Sequence, residues 1–484
     1  LAKSDDGLEN LYYLRDYSTM HYPWWYVQDL TAPMLIAVIS VVHVLVSHYA
    51  VGGGLFLAVE VGHAYRTKNK AYLEYLHQHA AFFILLTVVF GAITGVAIWW
   101  TIGLASPLAT EWLIRIFVFG WATEWVFFVL ELAAAFFFYY YWGKLTEKTH
   151  IALGWIYAAA AWISLVLITG ITAFMLNPGN WLNDHSFWSA FFNPQFLPQT
   201  IARTGGALLL SSLYVYLHAS LRIKDAKMRD MIGSRSARPA LLGAIMITVG
   251  GLAWYYFQPQ SAKDAIAGAA VLNVLVAVIF ALTTAVFFLL YLGPYKNPGW
   301  LSPGFAISLF LFGLAAFSTG EFIREAVRKP YISYNVVLGN QILPEQVPQL
   351  QKNGYLEGGV WTKQHVKDRF PELIENGSIS LTNKKLEEMP LSKRVALGEV
   401  VFQYHCNDCH AIERGYSAVK PLLTGKTRDV VLPMMLDLHK TQFFMPVWCG
   451  TREEAEVLTD YLMSIAPKSP QGMRFGPVAA KEVK

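Results

Sequence analysis

Apolar residues dominate the chain from about residue 31 to residue 326, in long runs broken by short polar or proline-containing stretches. A mostly apolar run of about 20 residues matches a helix that crosses a bilayer. Eight such runs are predicted, at 31–62, 79–104, 113–142, 151–176, 198–221, 239–257, 264–293 and 302–326. Some exceed the bilayer thickness, so tilt or protrusion is expected. Beyond Arg328 the pattern changes to that of a polar chain, and apolar positions recur at helical spacing in GEVVFQYHCNDCH and EEAEVLTDYLMSI. The predicted fold is all-α, a polytopic membrane helix bundle of about eight transmembrane helices followed by a small helical domain. The expected division is an N-terminal external segment (1–30), a transmembrane domain (31–331), a linker (332–387) and a C-terminal domain with its tail (388–484).

Composition supports this division. Of 484 residues, 55% are hydrophobic and 15% charged, against roughly 25% charged in ordinary globular domains. The net charge of +4 is small and unclustered, which argues against nucleic acid as a partner. The loops set the orientation. Loops after the first, third, fifth and seventh runs carry Arg66, Lys68, Lys70, Lys144, Lys148, Arg222, Lys224, Lys227, Arg229, Arg235, Arg238 and Lys296, while the intervening loops offer little beyond Lys263. The positive-inside rule makes the basic loops cytoplasmic. An even number of spans then places both termini outside, with lipid around the bundle. The Pro- and aromatic-rich stretch 177–197 is expected at the outer interface, where amphipathic rings settle.

Cys406, Cys409 and His410 spell C-x-x-C-H, the attachment pattern of a covalent heme c: two thiols bond the porphyrin and the imidazole ligates the iron. Such hemes are attached on the outer side of bacterial membranes, in agreement with the loop charges. Residues 388–468 have the proportions of a small periplasmic cytochrome c domain. Met445, ahead of the closing helix, is the expected second axial ligand, with Met434 and Met435 as rivals that more simply pack on the porphyrin. His405 and His439 are read as surface residues, with the alternative that either displaces methionine as the ligand and lowers the potential. Two of three cysteines belong to the motif, which excludes a disulfide framework and leaves Cys449 as a small buried side chain.

Ionisable residues within bilayer-length helices are costly and usually functional. The candidates are His43, His48, Glu60, Glu124, Glu131, Arg203, Glu321 and Glu325. Glu124 and Glu131 lie seven apart and share one helix face, as a proton relay to a buried site requires. Arg324 and Arg328 flank Glu325, an arrangement that suits heme propionates or a held carboxylate. Glu60 and Arg324, near helix ends, have a competing reading in which each snorkels to the interface.

On these residues the chain resembles subunit I of the cytochrome bd oxygen reductases. EFIREAVRKPY (321–331) is similar to that family's helix-ending glutamate and following G-R-Q-P-W segment, with Glu325, Arg328, Pro330 and Tyr331 at corresponding positions. VVHVLVSHYAVGGGLFLAVEV places His43 where the family has a first-helix heme ligand, with Glu60 at the same interval. GAITGVAIWWTIG resembles its second-helix G-x-x-T-G segment, FFVLELAA places Glu131 at a glutamate linked to proton delivery, and MLNPGNW resembles the piece after the fourth helix. The resemblance implies two buried hemes of b and/or d type, ligated by His43 and Glu325, and a second membrane subunit. It fails at the quinol-oxidising half. Ala202 or Arg203 stands where the family has a low-spin heme ligand, the long quinol loop is absent, and the ninth helix is replaced by the heme c domain.

The combination implies a respiratory oxidoreductase of a bacterial inner membrane. It would be a bd-like terminal oxidase subunit that reduces oxygen at buried high-spin hemes. Electrons would come from a periplasmic donor through heme c rather than from quinol. The alternative is an electron conduit within a larger respiratory complex, with both buried hemes six-coordinate and His48 a further ligand. A third reading is reduction of another small oxidant, such as nitric oxide or nitrite.

Overall fold

The computed structural model describes residues 23–415 and 417–467; the expected N-terminal segment up to residue 22 and the C-terminal tail from 468 lie outside the described residues. Two compact units result: Ile36–Gln341, and the described residues before Ile36 together with those from Ile342 on. Among the described residues, strand is confined to two short hairpins, Tyr331–Ser333 with Val337–Leu338 and Ile374–Glu375 with Ser378–Ile379. The rest of the regular structure is helical.

The membrane unit is built from α1 (Ala32–Arg66), α2 (Lys70–Ala105), α3 (Pro107–Ile116), α4 (Val118–Tyr140), α5 (Glu147–Ala173), α6 (Phe196–Arg222), α7 (Ala226–Tyr256), α8 (Ala270–Lys296) and α9 (Pro303–Ala326). Polar caps start several of them: Asn69, Thr146, Asp225 and Ser302 each accept a hydrogen bond from a first-turn backbone N–H of α2, α5, α7 and α9. The expected second span begins nearer the basic loop than its apolar run, because α2 continues through a π-helical stretch at Leu85–Phe90. The expected third span is divided at Phe117 into α3 and α4.

Among the described residues, seven helices are long and apolar enough to cross a membrane: α1, α2, α4, α5, α7, α8 and α9. The eighth expected span, 198–221, is the helix α6, and it falls short in apolarity rather than in length. It packs against α5, α7 and α9, and most of its residues are buried. A helix shielded from lipid by its neighbours keeps polar groups because those neighbours satisfy them; Ser212 Oγ donates to the Ser236 carbonyl of α7 at 3.0 Å. The outward faces carry Phe119, Trp125, Leu252 and Phe280, all well exposed, as expected of surfaces solvated by hydrocarbon.

Three consecutive glycines let α1 run through the middle of this unit. A Cβ at Gly52 would sit 2.0 Å from the Ala207 carbonyl oxygen of α6, and one at Gly54 2.1 Å from the Tyr157 ring of α5. Backbones approach this closely only where side chains are missing.

In the other unit, α10 (Leu391–His405) crosses α12 (Arg452–Ile465), with α11 (Arg428–Leu436) packed on α12. The crossing point is Gly398, where a Cβ would lie 2.0 Å from the Val457 carbonyl oxygen. A capping box of Thr451 and Glu454 opens α12. Segment 342–387 belongs to this unit and contributes the fully buried Tyr355 and Trp361. Trp24 packs on Tyr404, and Asp29 pairs with Arg414 in the same unit.

Candidate functional site

In the membrane unit, His43 projects from α1 onto the GAITG stretch of α2. Its Nδ1 lies 3.0 Å from Thr94 Oγ1, and a Cβ at Gly95 would approach its Cε1 to 3.2 Å. The Thr94 hydroxyl is also 3.0 Å from the Phe90 and Gly91 carbonyls. With its one proton engaged there, it accepts from His43 Nδ1–H. Nε2 then carries the lone pair, the tautomer a metal ligand needs. His48, on the same helix, donates Nδ1–H to the Val44 carbonyl at 2.9 Å and packs edge-on to Phe317. Its Nε2 is likewise left as the acceptor. His48 is in electrostatic reach of His43, Arg203 and Glu321.

The end of α9 holds two acid–base pairs in succession. Arg324 Nε donates to Glu321 Oε2 at 2.8 Å, and Arg328 Nη2 donates to Glu325 Oε2. Glu325 Oε1 has Lys329 Nζ 3.9 Å away, so the carboxylate has a cation on each side. Arg328 is buried, Nη1 donating to the Ile332 carbonyl at 2.7 Å and lying 3.7 Å from Met175 Sδ. Its Nε is buried with no hydrogen-bond partner among the described residues. An orphaned guanidinium N–H beside a half-buried carboxylate fits an anionic group such as a propionate. The snorkelling reading of Arg324 gives way to its pairing with Glu321.

Glu124 and Glu131 face α5. Ser164 Oγ donates to Glu124 Oε1 and Tyr157 Oη donates to Glu131 Oε1, each at 2.8 Å. The acids are seven residues apart on α4, and the donors are seven apart on α5 in the opposite chain direction. Two antiparallel helices thus present a matched ladder. Sequence reasoning missed Ser164 and Tyr157, because which helix faces the two acids is decided only by the packing. Glu60 does not snorkel: it is buried, accepts two bonds from Arg235 of α7 at 2.7 and 2.9 Å, and takes the Tyr72 hydroxyl at 2.8 Å.

In the other unit, α10 ends at the motif, and a turn follows in which Cys409 N and His410 N both donate to the Cys406 carbonyl. His410 Nδ1 donates to the Ser417 carbonyl at 2.8 Å, which leaves Nε2 as the ligating nitrogen, so this donor set fits a heme c iron. Burial pushes the Cys406 thiol up, well above the ordinary range, so it is held as the neutral thiol. Met445 lies in an irregular stretch between Thr441 and α12; its carbonyl accepts from His439 Nδ1 at 2.8 Å. His405 is not a surface residue. It is buried, with Tyr355 Oη 2.5 Å from its Nδ1, and desolvation lowers its pKa to about 3. The Tyr355 hydroxyl also accepts the N–H of Cys449, itself fully buried as expected.

Glu454 fixes segment 355–356 to the start of α12. Its carboxylate accepts the backbone N–H groups of Tyr355 and Leu356 at 2.8 Å and of Thr451 at 3.0 Å. Burial pushes this carboxyl up to about 7, against the pull of those three donors.

The arrangement defines a multi-pass helical membrane protein whose histidine and glutamate ligand candidates sit on separate helices. The family model for cytochrome bd terminal oxidase subunit I matches residues 32–271. In fold the chain is similar to a chain of the bd oxidase from Geobacillus thermodenitrificans, with a TM-score of 0.54, 16% identity, and coverage of 64% of this chain and 90% of that one. No curated protein matches the sequence. The matched residues hold His43, His48, Glu60, Glu124, Glu131 and Arg203; Glu325, Arg328 and the C-terminal unit lie beyond them.

Proposed function

We propose that this chain is a bd-like, cytochrome c-linked oxygen reductase subunit of a respiratory chain, in which a covalent heme c replaces the quinol site as the point of electron entry. The observation that carries this reading is the His43–Thr94 hydrogen bond, which supports an iron-ligating tautomer within the residues that match the bd subunit I model. Bound hemes supply the redox chemistry. The chain's own residues do the rest. Cys406, Cys409 and His410 would hold heme c, with Met445 as a further ligand of its iron. His43 and Glu325 hold the two buried b- or d-type hemes, and Arg328 and Arg324 balance their propionates. Glu131, with Glu124, holds protons for the reaction at carboxylates already hydrogen-bonded to hydroxyls.

A second membrane subunit and a periplasmic donor complete the proposed assembly, with both termini on the periplasmic side. The conduit reading keeps one specific support: His48 Nε2 is an acceptor in a buried setting and suits a sixth ligand. Carbon monoxide added to the reduced protein separates the two. A shifted heme spectrum marks an open iron position and the oxidase, whereas an unresponsive spectrum sinks it in favour of the conduit. Replacing Glu325 by Gln should remove one buried heme from the pigment count; full retention would refute Glu325 as a ligand.

A further inference from the structure

Two histidines that no part of the proposed site uses, His79 of α2 and His218 of α6, meet in the interior of the membrane unit. Their Nδ1 atoms are 3.1 Å apart, and His79 Nε2 is 3.0 Å from Tyr49 Oη of α1. His79 and Tyr49 are 0% exposed and His218 is 8% exposed. Three helices therefore contribute one unbroken line of hydrogen-bonding atoms, from His218 through His79 to Tyr49. The Tyr75 ring lies against both imidazoles, with centroids 5.8 and 5.5 Å away. Its hydroxyl is buried without a hydrogen-bond partner among the described residues. Phe82 and Phe56 complete the enclosure, and Arg222 is the cation that faces His218.

Position gives the line a direction. His218 lies one turn from Arg222, at the α6 end that leads into the most basic loop, and α2 starts from the basic stretch around Lys68 and Lys70. At the inner end, Ala50 follows Tyr49. The Tyr157 hydroxyl that donates to Glu131 is also 3.3 Å from the Ala50 carbonyl. A purely structural pair of buried imidazoles needs only one hydrogen bond; here both nitrogens of His79 are engaged, one on each side, as a through-ring transfer requires.

We propose that His218 and His79 form a two-imidazole proton relay that carries protons from the basic-loop face into the interior of the membrane unit, as far as His79 against the Tyr49 hydroxyl. In the inward step, His218 Nε2 gains a proton from that face and its Nδ1–H proton passes to His79 Nδ1. The proton then rests on His79, whose Nε2–H is hydrogen-bonded to the Tyr49 oxygen. His218 gains one proton and loses one, His79 gains one, Tyr49 keeps its own, and no electron moves within the relay. The proposal rests on the oxidoreductase reading in one respect: reduction of a buried centre is what draws the proton.

The test uses the intact protein with its partner subunits in vesicles whose basic-loop face points outward, with a pH dye outside and fast reduction by a donor. Wild type takes up protons from that face on reduction, and His79→Gln and His218→Gln each slow the uptake tenfold or more with heme spectra unchanged. Glutamine keeps a hydrogen bond but cannot pass a proton through itself. Wild-type uptake rates in both variants, or no uptake from that face in wild type, would overturn the relay. Should a variant lose its hemes, reduction-difference infrared spectra of wild type with ring-labelled histidine decide instead: bands of a buried histidine pair support the relay, and their absence overturns it. Carbon monoxide binding in the same samples scores the oxidase reading separately, since it needs an open iron and no relay.

Discussion

The two units solve opposite problems with the same helical vocabulary. The membrane unit turns its large apolar side chains outward, Phe119, Trp125 and Phe280 among them, and keeps Glu60, His79 and His48 inside. The C-terminal unit buries Tyr355, Trp361 and Phe402 and keeps ion pairs such as Lys393–Glu372 and Lys440–Asp437 at the surface, with Glu454 a buried exception. In water, apolar burial drives the fold and the polar site is a local motif. In lipid, apolar contact does not discriminate inside from outside, so polar residues that find one another across helices mark the interior. A functional residue is therefore recognised in one unit by its neighbours in sequence, and in the other by its partner in space.

The largest effect that would sharpen this contrast is at the local motif. Cys406→Ser together with Cys409→Ser should abolish covalent heme entirely, read as loss of heme staining on a denaturing gel, while the buried pigments remain in the optical spectrum. Loss of all hemes together would break the separation of the two units. Next comes the helix crossing. Gly398→Val places side-chain atoms where the Val457 carbonyl stands, and overpacking costs about 1–3 kcal/mol, occasionally more. The C-terminal unit should become protease-sensitive in this variant while the membrane helices stay protected.

The pH response of Glu454 follows. With the folded carboxyl at about 7 and an ordinary value of 4.5, the folded state holds a proton that the unfolded chain has already lost between those values. Stability of the C-terminal unit should then fall as pH rises from 4.5 to 7, by up to about 3 kcal/mol. Pulse proteolysis in urea checks it, and Glu454→Gln should flatten the pH slope. The smallest expected effect belongs to Thr94→Val, which removes only the acceptor for His43 Nδ1–H. Such partners of ligands are worth roughly 10- to 100-fold in affinity or activity, so retention of the bound heme in washed protein should weaken by that order. An unchanged variant would detach His43 from the proposed ligand set.

Much of the fold was legible because bilayer length and hydrophobic runs are one-dimensional quantities. The exception is instructive: α6 reads as a span by length, yet Gln199, Arg203, Ser211 and His218 keep it less apolar than its neighbours, because protein rather than lipid surrounds it. The Glu124 and Glu131 spacing was readable as one helix face; the hydroxyls of Ser164 and Tyr157 opposite them were not, since helix pairing is a tertiary fact. His405 was misread because its burial comes from Tyr355 and Trp448, distant in sequence.

By itself, then, the sequence determined what is written in consecutive residues: the apolar runs, the basic loops, and C-x-x-C-H with its histidine. Only the tertiary structure decided which polar groups inside the bundle are partners. Glu60 meets Arg235 across 175 residues and His79 meets His218 across 139. Periodicity assigns a residue to a face of its own helix, and the partner it meets is set by how close the backbones come. Here that is governed by glycines such as Gly52 and Gly54, whose missing side chains let α1 lie against α6 and α5.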